Sequence, residues 1–499
     1  MLRGFGRVVG FHRLSLKTQI LILSSRTRFL SQEFLLLFAP NGSLPKLEKR
    51  LRTEVTAANA STVLVVLAWI SLWQMSEIRF PRLILEILGK GELPASVVRD
   101  CFGSCAHPFY FGGRFDVAEE VQLILVSELD RMLNRSKGLR QETAHFSAIG
   151  HNALLDYLVK ATVLGIVPSE NLELVVGHHP IANRTYADLW IPELRKLGIR
   201  VSEQTESMAE PNLEVWPTAH DGYVPACSLY GTVEAKWKQQ HRAPILELPE
   251  SVSTNGHEAL CAAGFDPDKW FVGLHLRSGR SPERQLRNST ISKFQKSIEE
   301  IIIAGGQVVI VGDLVDDETL PRIPNLVDTR GMKLSDIIRE SIHIFVWAKA
   351  RFFVGNLSGG THPPRTFGTP TLWVDLHPSA HFRPPHPEDI YIPKLIRSRE
   401  KNRFLSLKEL YSPAHFYAQT ESTEFAAKKG YEIRDSSEVE IQRAVGDMLT
   451  QTLKGQNQPT PLDLKLDSIA SLRGLGMGAR MAPSFIEEWK AILFADVGA

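Results

Sequence analysis

From about residue 141 onward, short apolar runs alternate with stretches in which apolar residues recur every three to four positions. Runs of this kind suit strands buried on both faces, and the stretches between them suit covering helices, so the pattern is that of a parallel α/β sheet. In 141–250 it predicts a helix over 152–164 and a strand at Leu172–Val176. It is clearest from 270 to 376. There it predicts strand Trp270–Leu276, a helix near 290–304, a Gly305-Gly306 turn, strand Gln307–Val311 and a strand near Leu326-Val327. A helix over 335–349 and strands Arg351–Val354 and Thr371–Asp375 complete the series. Further on come strand Tyr431–Ile433, a helix opened by the capping-box pattern Ser437-Glu438-Val439-Glu440, a linker-like Gly455-Gln456-Asn457-Gln458-Pro459 and an amphipathic stretch at 483–494.

Before residue 141 the chain reads as helical or irregular, with Val117, Val121, Ile124, Leu125 and Leu129 at helical spacing. Val55–Ser76 holds 22 uncharged residues, enough to cross a bilayer as a helix. It also holds Thr56, Asn59, Ser61, Thr62, Ser71 and Gln74, which favour a helix packed in the N-terminal region or lying at a bilayer surface. The expected fold is therefore α/β: two Rossmann-like domains behind an N-terminal helical or irregular extension. The expected boundaries are 1–140 for the extension, 141–250 and 251–450 for the two α/β domains, and 451–499 for a linker and C-terminal helix.

Composition narrows the functional classes. Lys+Arg 57 against Asp+Glu 56 leaves a net charge of +1, so no global field recruits nucleic acid and any anion site is local. Four cysteines in 499 residues define no disulfide framework, which suits a reducing, cytoplasmic setting with the inner membrane surface as an alternative location. Cys101 and Cys105 have the spacing of a metal pair, yet neither a second pair nor a histidine cluster follows them. The segment before Glu33 is basic but lacks the layout of an export signal.

Candidate chemistry gathers at one expected sheet edge. In strand 270–276, Val272, Leu274 and Leu276 point one way, while Gly273, His275 and Arg277 point the other. Arg277 leaves the carboxyl end of a parallel strand, where open α/β sheets bind ligands. Arg280, Arg284, Arg287 and Asn288 follow in a loop whose basic excess suits a diphosphate, although a solvated basic loop explains the same composition. After strand 351–354 come Ser358, Gly359 and Gly360, read as a turn that opens a helix and offers backbone N–H groups to an anion. Asp313 ends another strand at this edge and could hold a sugar hydroxyl or cap a turn. In the first α/β domain, Gly150 and His151 open the helix at 152–164, and His151 suits general-base work or simple capping. His178-His179 and Asp188 have no assigned role. His377, His381 and His386 do not fit one helical face, and Asp266-Pro267-Asp268 lies at the wrong end of the sheet, so no metal cofactor is expected.

Ile149-Gly150-His151, Ile181-Ala182-Asn183, Trp270 to Arg277, Arg287-Asn288, Gly305-Gly306, Val311-Gly312-Asp313, Arg351 to Gly355, Ser358-Gly359, Phe367 to Pro370, Ile392 to Leu395 and Ala482 to Phe485 together resemble bacterial surface-polysaccharide glycosyltransferases. That resemblance spans about 141–494. It implies a GT-B fold, with 141–250 on the acceptor side and 251–450 binding the donor. It implies transfer from a nucleotide-sugar donor to a glycan or lipid-linked glycan acceptor. The His-x-Arg element is also similar to that of double-Rossmann fucosyltransferases, which implies metal-independent inverting transfer with Arg277 on the diphosphate. The chain departs from the pattern at Asn356, Leu357 and His343. Two other readings stand beside this one: a non-catalytic nucleotide-sugar or glycan-binding protein, and a polysaccharide pyruvyl-type transferase.

Overall fold

The structure, a computed structural model, describes residues 48–49, 52, 60–73, 77–91, 93–111, 114–134, 139–142, 146, 148–170, 172–176, 181–203, 210–211, 215–218, 222–277, 286–313, 323–377, 384–412, 423–455, 460–471 and 478–495. Met1–Lys137 with Leu213–Val215 forms one compact unit, and Gly138–Asn212 with Trp216–Ala499 forms another.

The described part of the first unit is helical: α1 (Ala60–Trp73), α2 (Phe80–Leu88), α3 (Ala95–Phe111) and α4 (Phe115–Met132). α1 carries no charge, and Val63, Leu64, Val66, Leu67, Ile70 and Leu72 are all buried, as in a core helix. Its 14 residues reach about 21 Å, short of the ~30 Å hydrocarbon layer. Among the described residues no helix is long and apolar enough to cross a membrane. The flanks of the uncharged stretch, 55–59 and 74–76, lie outside the described residues.

The second unit begins with β1 (Leu139–Glu142), α5 (Ile149–Ala153), α6 (Leu155–Val163), β2 (Leu172–Val176), α7 (Arg184–Lys196), β3 (Arg200–Glu203) and β4 (Glu210–Pro211). Its four strands form a parallel sheet in the order β3-β2-β1-β4. The expected helix at 152–164 is two helices that meet at Leu154. A ribbon of β5 (Val215–Thr218) and β6 (Gly222–Pro225) leads to α8 (Ala226–Gln239) and α9 (Glu250–Ala262).

The large sheet uses β7 (Phe271–His275), α10 (Gln295–Ile303), β8 (Gln307–Ile310), β9 (Leu326–Asp328), α11 (Asp336–Lys349), β10 (Phe352–Gly355), β11 (Thr371–Leu376) and β12 (Ile390–Pro393). A small antiparallel sheet of β13 (Leu395–Ser398), β14 (Arg403–Phe404) and β15 (Tyr431–Arg434) follows. Next come α12 (Glu438–Lys454), α13 (Pro461–Ser471), β16 (Arg480–Met481) and α14 (Pro483–Leu493). Ser437 and Glu440 cap α12 reciprocally, as the capping-box pattern predicts.

All pairings in the large sheet are parallel, and its order is β16-β12-β11-β10-β7-β8-β9. The chain leaves β7 towards β8 and β9 on one side, then returns across it to β10, β11 and β12 on the other. Strand order therefore reverses between β7 and β10. That is the topological switch point, beyond whose carboxyl ends an open α/β sheet leaves a crevice.

The two sheets of this unit are joined by packing and polar contact. Glu340 on α11 accepts hydrogen bonds from the Arg184 and Thr185 backbone N–H groups at 2.9 Å each, so a carboxylate sits at the N-terminus of α7. Asn183 completes that end by accepting from Tyr186 N at 2.7 Å. The Tyr186 ring meets Trp347 edge-on at 5.4 Å, and its hydroxyl lies 3.1 Å from Thr366 Oγ1.

β7 and β10 pair directly, from Phe352 beside Val272 to Gly355 beside His275. Their close fit depends on Gly273, because a Cβ there would stand 2.5 Å from the Phe353 ring and 2.7 Å from Val346. Gly273→Ala should therefore lower the unfolding free energy by roughly 1–3 kcal/mol, the usual cost of overpacking a filled interior. An unchanged urea midpoint would show that the sheet can widen here without cost.

Candidate functional site

His275 is the last residue of β7, and its ring lies between two glycines. A Cβ on Gly312 would stand 2.6 Å from the ring and one on Gly360 2.8 Å from it, and Gly312 is also left-handed at φ +116. Nδ1 is 3.2 Å from Val311 O, and Nε2 is 2.9 Å from Ser358 Oγ. A carbonyl only accepts, so Nδ1 carries the proton and Nε2 accepts from the serine hydroxyl. Burial lowers the pKa of the imidazole, which keeps this neutral form in place. His275 thereby fastens the ends of β7, β8 and β10 together.

Arg277 follows two residues later, partly exposed at the carboxyl edge of the sheet. Its position is fixed through the backbone. Arg277 N donates to Asn356 Oδ1 at 2.9 Å, Asn356 Nδ2 donates to Arg287 O at 2.6 Å, and Ser289 N donates to Arg277 O at 3.0 Å. Asn356, one of the departures from the family pattern, thus ties the stems of both arginines to β10. Arg287 and Asn288 are likewise partly exposed, while Arg280 and Arg284 lie outside the described residues. Asp313 is exposed just beyond Gly312.

The Ser358 turn differs from the expected helix opening. Ser358-Gly359-Gly360 leads into two short 3-10 segments, Gly359–Thr361 and Pro363–Phe367. Pro363 and Pro364 lack the N–H groups an α-helix would need, so no helix dipole is built here. Thr361 N and His362 N bond back to Ser358 O and Gly359 O within the turn.

α5 lies directly against this turn. A Cβ on Gly150 would fall 2.8 Å from Gly359 Cα, so the two backbones touch because neither residue has a side chain. His151, partly exposed, is the next residue.

The residues packed behind this contact carry no sequence signal of their own. Arg365 is 2% exposed, lies over the Tyr157 ring at 5.0 Å and the Trp373 ring at 5.7 Å, and has NH2 2.6 Å from His362 Nδ1. On the same helix as Tyr157, Lys160 Nζ pairs with Asp156 and Glu234 at 2.7 Å each, all three buried. Burial raises the Asp156 pKa to about 6 against the pull of Lys160.

Other candidates fall elsewhere. His377 is buried, with its pKa pushed down to about 3 by burial and by Lys394 and Arg287, whereas His386 lies 3.9 Å from Asp389. His381, His178 and His179 lie outside the described residues. Among the described residues no group of three or more His, Cys, Asp or Glu could hold a metal ion. Asp188 pairs with Arg184 on the exposed face of α7 at 3.0 Å. Cys101 and Cys105 are buried and form no disulfide. A cavity of about 560 Å³ opens by Trp270, Arg351, Glu388 and Gln451, at the opposite end of the large sheet from Arg277.

No family model matches the chain, and no curated protein matches it. Among solved structures it is similar to a glycosyl transferase of family 9 from Veillonella parvula, with 12% identity, a TM-score of 0.24, and coverage of 45% of this chain and 62% of that one. It is also similar to the iron-containing dodecameric glycosyltransferase TibC of enterotoxigenic E. coli, with 14% identity, a TM-score of 0.29, and coverage of 50% of this chain and 61% of that one. The dodecameric iron-containing heptosyltransferase TibC in complex with ADP-D-beta-D-heptose matches at 14% identity and a TM-score of 0.28, again over 50% and 61% of the two chains. The chain spans about three fifths of the length of these structures.

His343, another of the three departures, stacks obliquely on Trp347 at 5.7 Å, and burial first, then His275, hold its pKa down to about 4. The unfolded chain takes up this proton near the ordinary value of 6.5, so the stability due to neutral His343 is complete above 6.5 and is lost as pH falls towards 4. His343→Phe should make the fall in unfolding free energy below that pH shallower by about one proton, ~1.4 kcal/mol per pH unit. Urea titrations at several pH values that give parallel curves for the two proteins would show that His343 is not the group refusing the proton.

Proposed function

We propose that the chain is a GT-B type glycosyltransferase that moves a sugar from a nucleotide diphosphate sugar to a glycan acceptor, in the manner of surface-polysaccharide enzymes. The carrying observation is the convergence of Arg277, Arg287 and the Ser358-Gly359-Gly360 turn beyond the carboxyl ends of β7 and β10, where strand order reverses. A diphosphate in that crevice would meet two guanidinium groups on stems held by Asn356, beside the Ser358-Gly359-Gly360 turn. Guanidinium forks suit phosphate oxygens, and their fixed placement costs no reorganisation as charge grows on the departing nucleotide. Asn288 and Asp313 would meet sugar or ribose hydroxyls at the same edge. His151 would serve as the acceptor-side base, because α5 brings it to the turn from the other sheet. Transfer would proceed without a metal, the arginines taking the neutralising role.

Thermal-shift measurement against GDP-, UDP-, ADP- and dTDP-linked sugars identifies the donor, since a ligand bound only by the folded chain raises its melting temperature. With that donor, Arg277→Ala should lower turnover by on the order of a hundredfold or more, and Arg277→Lys should recover part of the loss. Chelators should leave the wild type active. Full activity in Arg277→Ala would sink the assignment, and inhibition by chelator that a divalent ion reverses would sink the metal-free route.

A further inference from the structure

We infer that Asn356 determines the class of donor the site accepts: by locking the Arg277 and Arg287 stems to one another, it makes the crevice select nucleoside diphosphates over nucleoside monophosphates. The ligand chemistry rests on the reading given under Proposed function, whereas the link between the two stems is a feature of the fold itself. The last paired residues of β7 and β10 are His275 and Gly355. Past them the main-chain ladder gives way to a side chain. Arg277 N donates to Asn356 Oδ1 at 2.9 Å, and Asn356 Nδ2 donates to Arg287 O at 2.6 Å.

The partners leave the amide one orientation, because a backbone N–H only donates and a backbone carbonyl only accepts. Asn356 is 1% exposed, so water does not compete for either bond. The amide is planar, and its two ends therefore hold the two stems at one separation. Ser289 N, donating to Arg277 O at 3.0 Å, ties the same two segments a second time. The main chain of Asn356 is fixed as well, since its carbonyl accepts from Oγ1 of the fully buried Thr361 at 2.8 Å. No shorter or acceptor-only side chain supplies the same pair of bonds. Serine reaches one partner but not both, leucine bonds to neither, and aspartate would set a carboxylate oxygen against Arg287 O.

A guanidinium fork matches the oxygens of one phosphate group. Two forks on stems held at one separation suit two phosphates in succession, and because the stems are ordered before the ligand arrives, little further ordering accompanies binding. A monophosphate fills one fork and leaves the other without its ligand. Were the stems independent, both forks could close on a single phosphate, and a second phosphate would add little. Selectivity thus follows from the rigidity of the link rather than from the number of arginines. Asn356 itself touches no ligand; it is a positioning residue that acts through Arg277 and Arg287.

Calorimetry on the full chain with the pairs GDP and GMP, ADP and AMP, and UDP and UMP tests this. For the base that binds best, the wild type should hold the diphosphate about tenfold or more tighter than the monophosphate, as expected for added charge-assisted hydrogen bonds. Asn356→Leu, which removes both bonds at similar volume, should bring the diphosphate down to nearly the affinity of the monophosphate and leave the monophosphate itself almost unchanged. Asn356→Ser, which keeps one bond at most, should lose most of the preference in the same way and carries the test if the leucine variant does not fold. Melting curves without ligand show which variants are folded. A wild type that binds the two members of a pair equally overturns the inference. So does a folded variant that keeps the wild-type ratio, or one that loses diphosphate and monophosphate alike, the mark of a residue that merely supports the site; in both cases the functional reading stands. If none of these nucleotides binds the wild type, the selectivity and the functional reading fall together.

Discussion

Three strand ends meet on one imidazole. Because Gly312 and Gly360 leave no side chain beside it, the His275 ring can approach both backbones and bond to Val311 O and Ser358 Oγ together. Parallel strands fix one another in register but leave the loops beyond them free, so some side chain must carry order from the sheet into the crevice. Here a neutral histidine does so between β7, β8 and β10, and Asn356 extends the same order sideways to the Arg277 and Arg287 backbones. In a charged imidazole the second bond would reverse, Nε2–H donating to Ser358 Oγ, so it is burial that keeps the ring neutral and Ser358 the donor.

The second constraint is the absence of side chains where the two sheets' helices meet. Gly150 against Gly359 brings α5 onto the turn at backbone distance, and the Tyr186–Trp347 and Glu340 contacts join α7 to α11. Buried Lys160 is matched by Asp156 and Glu234, and buried Arg365 lies in the field of Asp156 and Asp389. Removing one of them would leave an uncompensated buried charge, which costs far more than the pair itself contributes. Such a cluster sets geometry more than it adds stability.

Much of this was legible in the chain. The large-sheet strands announced themselves because strands buried on both faces are uninterrupted apolar runs, and their ends fell within about a residue of the apolar boundaries. Ser437 and Glu440 signalled a helix start whose chemistry is local. The Ser358 turn misled because a Ser-Gly-Gly after a strand usually opens a helix, while Pro363-Pro364, which forbid one, were visible only five residues on. Asn356 looked like a departure because its partners, Arg277 and Arg287, are far away in sequence. His362 and Arg365 had no pattern at all, since their meaning comes from Tyr157 and Trp373 on separate elements. β16, with two residues, is too short for any periodicity to reveal.

That short strand has a consequence for how the molecule is made. Arg480 and Met481 complete the edge beside Ile390 and Tyr391, and Phe485, Ile486 and Leu493 belong to the same apolar core as Val272 and Val308. During vectorial synthesis the early strands emerge long before the segment that covers them, so for that interval apolar surface around β12 and α12 is open to water and to other chains. The large sheet is completed only when Arg480–Met481 pair with β12 and α14 packs on its core, so the order of synthesis leaves its edge uncovered until the segment to residue 493 is in place.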